Sequence, residues 1–384
     1  MRILAVGGGS GGHVTPVVAV LRELKKRDSS IEIRFWCDRK FSPQARGIVH
    51  TFDETIPVEA IVSGKLRRYH HLKWWQHFTI PSVLFPNIRD IFLVAIGFLQ
   101  SFIKLLIWRP DVMFTKGGFV CLPAGIAARL LKIPLVIHDS DSHPGLTNRI
   151  LARWATAIAT GAPLHFYPYD KKISHYTGIP VADEFHPYSD QERAEIKTEL
   201  GFDPKKPLLV ITGGGLGAKH INDAVIKRLS ALTELSSVLL LSGTEHYDEL
   251  RALTPKDNPH FQLVAFLSEG MAQALGAADV VVSRAGATTI LELSALARPT
   301  ILIPGARFTG GHQLKNAAVY AEANAVEIID EDELVANPQL LVDTLGSLLA
   351  NPKRREELGR AFHAFIRPNA ASDMADIILK VVKR

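Results

Sequence analysis

The chain has 384 residues, enough for two domains with separate cores, and its 47 % hydrophobic and 22 % charged content reads as soluble and globular. Two cysteines, Cys37 and Cys121, exclude a disulfide framework, and four apolar residues before the first glycines are too few for a secretory core, so a reducing cytosol is expected. The net charge of +5 is uneven: residues 1–177 hold 23 of the 44 Lys/Arg but 12 of the 39 Asp/Glu. A basic N-terminal half suits an anionic surface or a phosphorylated substrate, and no RNA-type aromatic signature or recognition helix argues for nucleic acid.

Apolar strand-like runs alternate with helical ones from end to end. Strands are predicted at 2–6, 31–36, 111–115, 134–138, 156–160 and 174–177, then at 207–212, 237–242, 261–265, 279–283, 299–304 and 325–329. Helices are predicted at 15–27, 122–131, 146–153, 218–231, 270–277, 287–296 and 311–323, with a final helical run over 354–384 interrupted at Pro368. This order implies an α/β fold of parallel sheets with right-handed crossovers. The pattern restarts once, so the expectation is two Rossmann-like domains facing across a cleft. The predicted first domain is 1–178, completed by a C-terminal helix at about 363–384, and the second is 179–362.

Each half opens with a glycine turn between strand and helix. The first is Gly7-Gly8-Gly9-Ser10-Gly11-Gly12-His13, and the second is Gly213-Gly214-Gly215-Leu216-Gly217-Ala218. Glycine amides at a helix N-terminus are a general cradle for phosphate. Gly7, Gly9 and Gly12 also fit the G-x-G-x-x-G of dinucleotide enzymes, with Asp38 ending the second strand, but His13 and the second turn have no place in that scheme. An imidazole beside a phosphate cradle is placed to act as a general base. Glu292, one or two turns into the helix that begins after Ser283-Arg284-Ala285-Gly286, suits a ribose diol. Asp139-Ser140-Asp141 spells the D-x-D of metal–nucleotide sites; a metal is not expected there, because the motif lies in the half opposite to the nucleotide.

One segment is ambiguous. Ile91–Ile107 is almost wholly apolar, yet at 17 residues it is shorter than a bilayer span and contains Gln100, Ser101 and Lys104. Lys65, Arg67, Arg68, His70, His71 and Lys73, then Trp74, Trp75 and Phe78, precede it. Cations beside tryptophans next to an apolar helix have the composition of a membrane-interface patch; a basic loop over a core helix is the plainer alternative.

Gly9 to Pro16 resembles the first glycine loop of the MurG family, the GT-B glycosyltransferases that convert lipid I to lipid II. The likeness continues through Lys116-Gly117-Gly118-Phe119-Val120, Ile133–His138, Pro144–Arg149, Thr177–Val181, the second glycine turn, Ser283–Glu292, and His312-Gln313 with Asn316-Ala317. It implies inverting transfer of GlcNAc from UDP-GlcNAc to the MurNAc 4-hydroxyl of an undecaprenyl-linked acceptor, without a cofactor. Peptidoglycan synthesis, and with it cell shape, division and the cell cycle, would be the setting. The place would be the cytoplasmic face of the cell membrane, held peripherally through 65–107, with other cell-wall synthesis proteins as further partners. Ser10, Gly11 and Gly12 would approach the donor pyrophosphate and acceptor, with His13, or else Asp139, as base. Leu267 would hold the uracil, Ala287, Thr288 and Thr289 the diphosphate, Glu292 the ribose and Gln313 the sugar hydroxyls, while Arg284 would stiffen the nucleotide loop. Asp141 and Gly215 join the donor-binding set at positions where the chain departs from the family pattern. Asp141 stands where the family has an amide, Asp139 where it has a glutamate, Gly215-Leu216 where it often has Ser-Gln, and Ala182 where some members carry arginine. Three rivals share the features: a UDP-GlcNAc 2-epimerase-like GT-B enzyme, another lipid-acceptor GT-B glycosyltransferase, and a non-enzymatic nucleotide-sugar sensor.

Overall fold

The computed structural model describes residues 1–384 except 10, 67–74, 76–78, 215–216, 256, 268, 306–310 and 384, and the exposure of Gly11. The chain forms two compact units. The first is built chiefly from Met1–Ala182 and Arg367–Arg384, and the second from Asp183–Arg307 and Gln313–Ile366.

Unit 1 contains a seven-stranded sheet of β1 (Arg2–Val6), β2 (Glu32–Asp38), β3 (Val58–Ile61), β4 (Val112–Thr115), β5 (Leu135–Asp139), β6 (Ala157–Thr160) and β7 (Ser174–Tyr176). Their order is β3-β2-β1-β4-β5-β6-β7, and every pairing is parallel. β1 is central, and Ile3, Leu4, Ala5 and Val6 are fully buried between helix layers on both faces. That double burial explains why its sequence is a continuous apolar run rather than an alternating one. The order reverses at β1/β4, which is the switch point where open parallel sheets present ligand sites beyond their carboxyl ends. The C-terminal helix Ala370–Val382 packs Met374, Ala375, Ile378 and Val381 into this core.

Unit 2 repeats the plan with six strands: β8 (Leu208–Thr212), β9 (Ser237–Leu241), β10 (Phe261–Val264), β11 (Val280–Ser283), β12 (Thr300–Leu302) and β13 (Glu327–Ile328). They lie in the order β10-β9-β8-β11-β12-β13, again all parallel. Its switch point is β8/β11.

β3 was not predicted. Its sequence, Val58-Glu59-Ala60-Ile61, is too short and too mixed to stand out, and it lies at the sheet edge. The helices Ser42–Phe52, Asp190–Glu199, Tyr247–Leu253, Glu331–Ala336 and Gln339–Ala350 also went unpredicted. The predicted helix 218–231 is two, Lys219–Lys227 and Leu229–Leu235. The ambiguous apolar stretch is the C-terminal two thirds of one 27-residue helix, Pro81–Ile107.

Candidate active site

In unit 1 the first glycine turn connects β1 to the helix Gly11–Arg27. A side chain at Gly7 would place its Cβ 2.6 Å from the His13 carbonyl oxygen, so the turn closes only with glycine there. Gly118, from the loop after β4, has φ +88° and would bring a Cβ within 2.9 Å of the Gly8 carbonyl. The two loops are thus pressed backbone to backbone. Asp38 accepts the Gly9 N–H at 2.6 Å and the Phe41 N–H at 3.1 Å. A carboxylate so committed braces the turn and is not offered to a ribose, which disposes of the dinucleotide reading of Asp38. The helix has no acid in its first turn and Lys25, Lys26 and Arg27 in its last, so its dipole is neutralised at the far end and left open to an anion at the near one.

His13 stands in the first turn of that helix, half-buried, with Nδ1 buried and without a hydrogen-bond partner among the described residues. Burial, and then the charge of Lys116, hold its pKa down at about 4, against the pull of Asp141 and the Lys116 backbone. The ring is therefore neutral at physiological pH and able to take a proton. Lys116, only 2 % exposed, follows β4 and donates to the Gly12 carbonyl at 2.9 Å and to Ser140 Oγ at 2.5 Å. His138 on β5 lies 2.7 Å from the Gly178 carbonyl through Nε2 and 3.3 Å from Ser140 Oγ through Nδ1. Burial and Lys116 push its pKa down to about 3.

Asp139 ends β5 only 3 % exposed, and Oδ2 accepts the Tyr169 hydroxyl at 2.6 Å. Burial raises its pKa to about 7, with Asp141 adding to the rise and Tyr169 opposing it. One oxygen of this core carboxyl is thus committed to the Tyr169 hydroxyl. Among the described residues no group of three or more His, Cys, Asp or Glu is arranged to hold a metal. Asp141, two residues on, sits in the bend after β5 and is half-buried.

In unit 2 the second glycine turn follows β8. Gly217, at φ +85°, would drive a Cβ to 2.0 Å from the Ser242 carbonyl, and Gly214 donates to Thr212 Oγ1 at 3.1 Å. The helix Ala287–Ala295 begins after β11 behind Gly286, with no side-chain cap and no acid in its first turn. Ala287, Thr288, Thr289 and Glu292 are half-buried on one side of it, while Ile290, Leu291 and Leu293–Ala295 are buried on the other. Arg284 is buried; it donates to the Ile303 carbonyl at 3.1 Å and is ion-paired to Glu331, which also meets His220 Nδ1 at 3.0 Å. Asn316 Nδ2 holds the Ala285 carbonyl at 3.2 Å, and Gln313 Oε1 accepts the Gly305 N–H at 2.8 Å. Leu267 lies three residues beyond β10, half-buried. Each of these positions is at the carboxyl ends of the unit 2 strands.

Unit 1 thus brings together Gly12, His13, Asp139 and Asp141, and unit 2 brings together Arg284, Ala287, Thr288, Thr289, Glu292 and Gln313. Ser10, Gly215 and Leu216 lie outside the described residues. Lys116, Ser140, Tyr169, Asn316 and Glu331 were not assigned roles from sequence; Lys116, Ser140 and Asn316 were visible only as members of motifs.

The glycosyltransferase family 28 N-terminal domain matches residues 3–160 and the family's C-terminal domain matches 208–376. The chain belongs to glycosyltransferase family 28. It is 32 % identical, over the whole of both chains, to the UDP-N-acetylglucosamine–N-acetylmuramyl-(pentapeptide) pyrophosphoryl-undecaprenol N-acetylglucosamine transferase of Halalkalibacterium halodurans, which places it in the MurG branch. Among solved structures it is similar to Acinetobacter baumannii MurG (TM-score 0.72, 23 % identity, 99 % of each chain). It also resembles the UDP-GlcNAc 2-epimerase of Neisseria meningitidis bound to UDP-GlcNAc (TM-score 0.66, 14 % identity, 99 % of this chain and all of that one). Both structural likenesses speak to the GT-B fold. The protein is a glycosyltransferase, and the dinucleotide-enzyme and sensor readings fall away.

The Pro81–Ile107 helix is the other distinctive surface. Phe85, Ile88, Phe92, Ile96, Leu99, Ile103 and Leu106 are exposed at spacings of three and four, one continuous apolar stripe. Gln100 and Lys104, read from sequence as arguments against a span, face the protein. Gln100 bonds the Val62 N–H at 2.9 Å and the Ala60 carbonyl at 3.2 Å, and Lys104 pairs with Glu59. At Gly97 a Cβ would reach 1.8 Å from the Val62 carbonyl, so the helix is docked along its length and lies on the unit rather than leaving it. Lys65 and Trp75 nearby are exposed; Arg67, Arg68, His70, His71, Lys73, Trp74 and Phe78 lie outside the described residues.

Proposed function

We propose that the protein transfers GlcNAc from UDP-GlcNAc, with inversion, to the 4-hydroxyl of MurNAc in undecaprenyl-pyrophosphoryl-MurNAc-pentapeptide. The observation that carries this reading is the end-to-end match to a curated transferase of that specificity, with neither chain left uncovered. Unit 2 binds the donor: Ala287–Thr289 amides meet the diphosphate, Glu292 the ribose, Leu267 the uracil and Gln313 the sugar, with Gly215 and, from unit 1, Asp141 completing the substrate-binding set. In unit 1, Ser10, Gly11 and Gly12 approach the donor pyrophosphate and the acceptor. His13 takes the hydroxyl proton as that oxygen bonds the anomeric carbon and UDP departs. Its neutral state supports this role, and an anionic substrate beside it would raise its basicity in the bound complex. The burial of Asp139 under Tyr169 favours His13 over Asp139 as the base. Amides and helix dipoles stabilise the leaving diphosphate.

The acceptor is lipid-linked, and an exposed apolar stripe about 30 Å long beside basic residues is the surface that rests on a membrane interface to meet it. The stripe supports peripheral attachment to a membrane; the cytoplasmic side, and contact with other cell-wall synthesis proteins, belong to the reading through the proposed reaction. Incubation with labelled UDP-GlcNAc tests the reading. Label should enter lipid only when lipid I is present, whereas production of UDP-ManNAc without acceptor would establish the epimerase instead.

A further inference from the structure

Lys116 is a buried ammonium in a place where burial needs a reason. Its Nζ donates to Gly12, the residue before His13, and to Ser140 at the end of β5. From Ser140 the hydrogen bonds continue in one direction. The His138 ring is neutral, and its Nε2 faces a carbonyl that can only accept, so Nε2 carries the proton. Its Nδ1 is then an acceptor for the Ser140 hydroxyl, whose oxygen accepts from Lys116. The result is an ordered relay: Lys116 to Ser140, Ser140 to His138, His138 to the Gly178 carbonyl. It ties the first glycine turn through β4 and β5 to a residue four positions before unit 1 ends at Ala182. Each link polarises the next, and a lysine at its head gives the chain its direction.

We propose that Lys116 is the positioning residue for the base: its ammonium clamps the Gly12 carbonyl to Ser140 and thereby fixes where the His13 imidazole stands. The inference rests on the reading of His13 as base but assigns a residue that reading leaves unused. Lys116 acts on His13 in two ways. The clamp sets the ring's position through the backbone of the glycine turn. The positive charge also disfavours a second cation on the ring, so that His13 is unprotonated when substrate arrives. The groups that face His13 with charge are Lys116 beyond β4 and Asp141 beyond β5, with neutral His138 between them and Asp139 turned into the core.

The test is Lys116→Met in the full chain, with the His13 ring titrated by NMR without substrate and turnover measured on a water-soluble acceptor analogue. Removing the ammonium should raise the His13 midpoint by about one pH unit, since a neighbouring charge commonly moves a titration by that much or more. The acid limb of kcat/KM should move up with it, because activity is lost as pH falls through the pKa of the base. kcat should fall at least about tenfold while donor KM stays within about twofold, as expected for loss of positioning rather than donor binding. A His13 midpoint and an acid limb both unmoved by Lys116→Met would overturn the proposal. Should that variant not fold, Lys116→Arg and Ser140→Ala carry the test. Both keep a charge at position 116, so the midpoint should stay and kcat should fall; wild-type kcat in both would overturn the clamp. The titration is read without turnover, so a failure of the lipid-transfer assay, which would sink the proposed function, leaves this result standing or falling by itself.

Discussion

The two glycine turns use one backbone device for two purposes, and the difference lies in what surrounds them. The turn in unit 1 is ringed by titratable groups: His13 on its helix, Lys116 beyond β4, and His138, Asp139 and Asp141 on and after β5. All three of His13, His138 and Asp139 are shifted by burial toward their neutral forms. The turn in unit 2 is followed by Ala218, and the buried charges nearby are spent on one another, as in the Arg284–Glu331 pair that steadies the loop before the Ala287–Ala295 helix. On the proposed reading, the titratable ring of unit 1 serves proton transfer and the turn and helix start of unit 2 serve donor binding, and substitutions should separate the two.

The largest effect expected is at His13. His13→Ala should lower kcat by about 10²–10⁴-fold, the usual cost of losing a general base, with donor KM nearly unchanged because the nucleotide is held elsewhere. A variant with near-full activity would remove the chemical half of the comparison altogether. The reverse pattern is expected at Glu292. Its loss removes charge-assisted hydrogen bonds of about 1.5–3 kcal/mol to a part of the donor that does not react, so KM should rise tenfold or more. If kcat falls instead, unit 2 does more than bind. Phe92→Glu with Leu99→Glu, on the exposed stripe, should release the protein from anionic vesicles and leave turnover of a soluble acceptor intact. Retained vesicle binding would show that the stripe is not the docking surface.

Much of this division was legible in the sequence, and its limits are physical. The strands of both sheets are nearly continuous apolar runs because they are buried on both faces, and the glycine turns announce themselves by composition. β3 and the Asp190–Glu199 helix do not. The first is four residues at an edge, and the second shows only the capping box of Ser189 and Glu192 before a largely polar helix. The exposed apolar helix Pro81–Ile107 was half legible, since Gln100 and Lys104 interrupt its hydropathy but turn inward to dock it. Lys116 and Ser140 lie 24 residues apart, and their meeting depends on β4 and β5 being neighbours in the sheet. The Tyr169 hydroxyl that closes over Asp139 comes from 30 residues away. No spacing in the chain foretells either contact.

The smallest effect expected concerns two aspartates, one in each unit, and its sign is the test. In unit 2, burial of Asp279 is outweighed by Lys197 at 2.6 Å, the Leu208 N–H and Arg193, so its pKa is lowered from 3.8. That group stabilises the fold above its unfolded pKa, and the contribution is lost as pH falls. Asp139 has a phenol where Asp279 has cations, and its pKa is raised to about 7. The folded protein holds this proton more tightly than the unfolded chain, so stability attributable to Asp139 declines as pH rises from about 4 through 7 and does not recover above it. Asp139→Asn mimics the protonated form and retains an acceptor for Tyr169. Thermal unfolding should therefore show the substitution raising Tm at pH 8 by a few degrees more than at pH 5. Asp279→Asn should lower Tm at both, because Lys197 is left buried without its partner. An Asp139→Asn variant destabilised more at pH 8 than at pH 5 would mean that the fold favours the carboxylate over the carboxylic acid, and would return Asp139 to candidacy as a base beside His13.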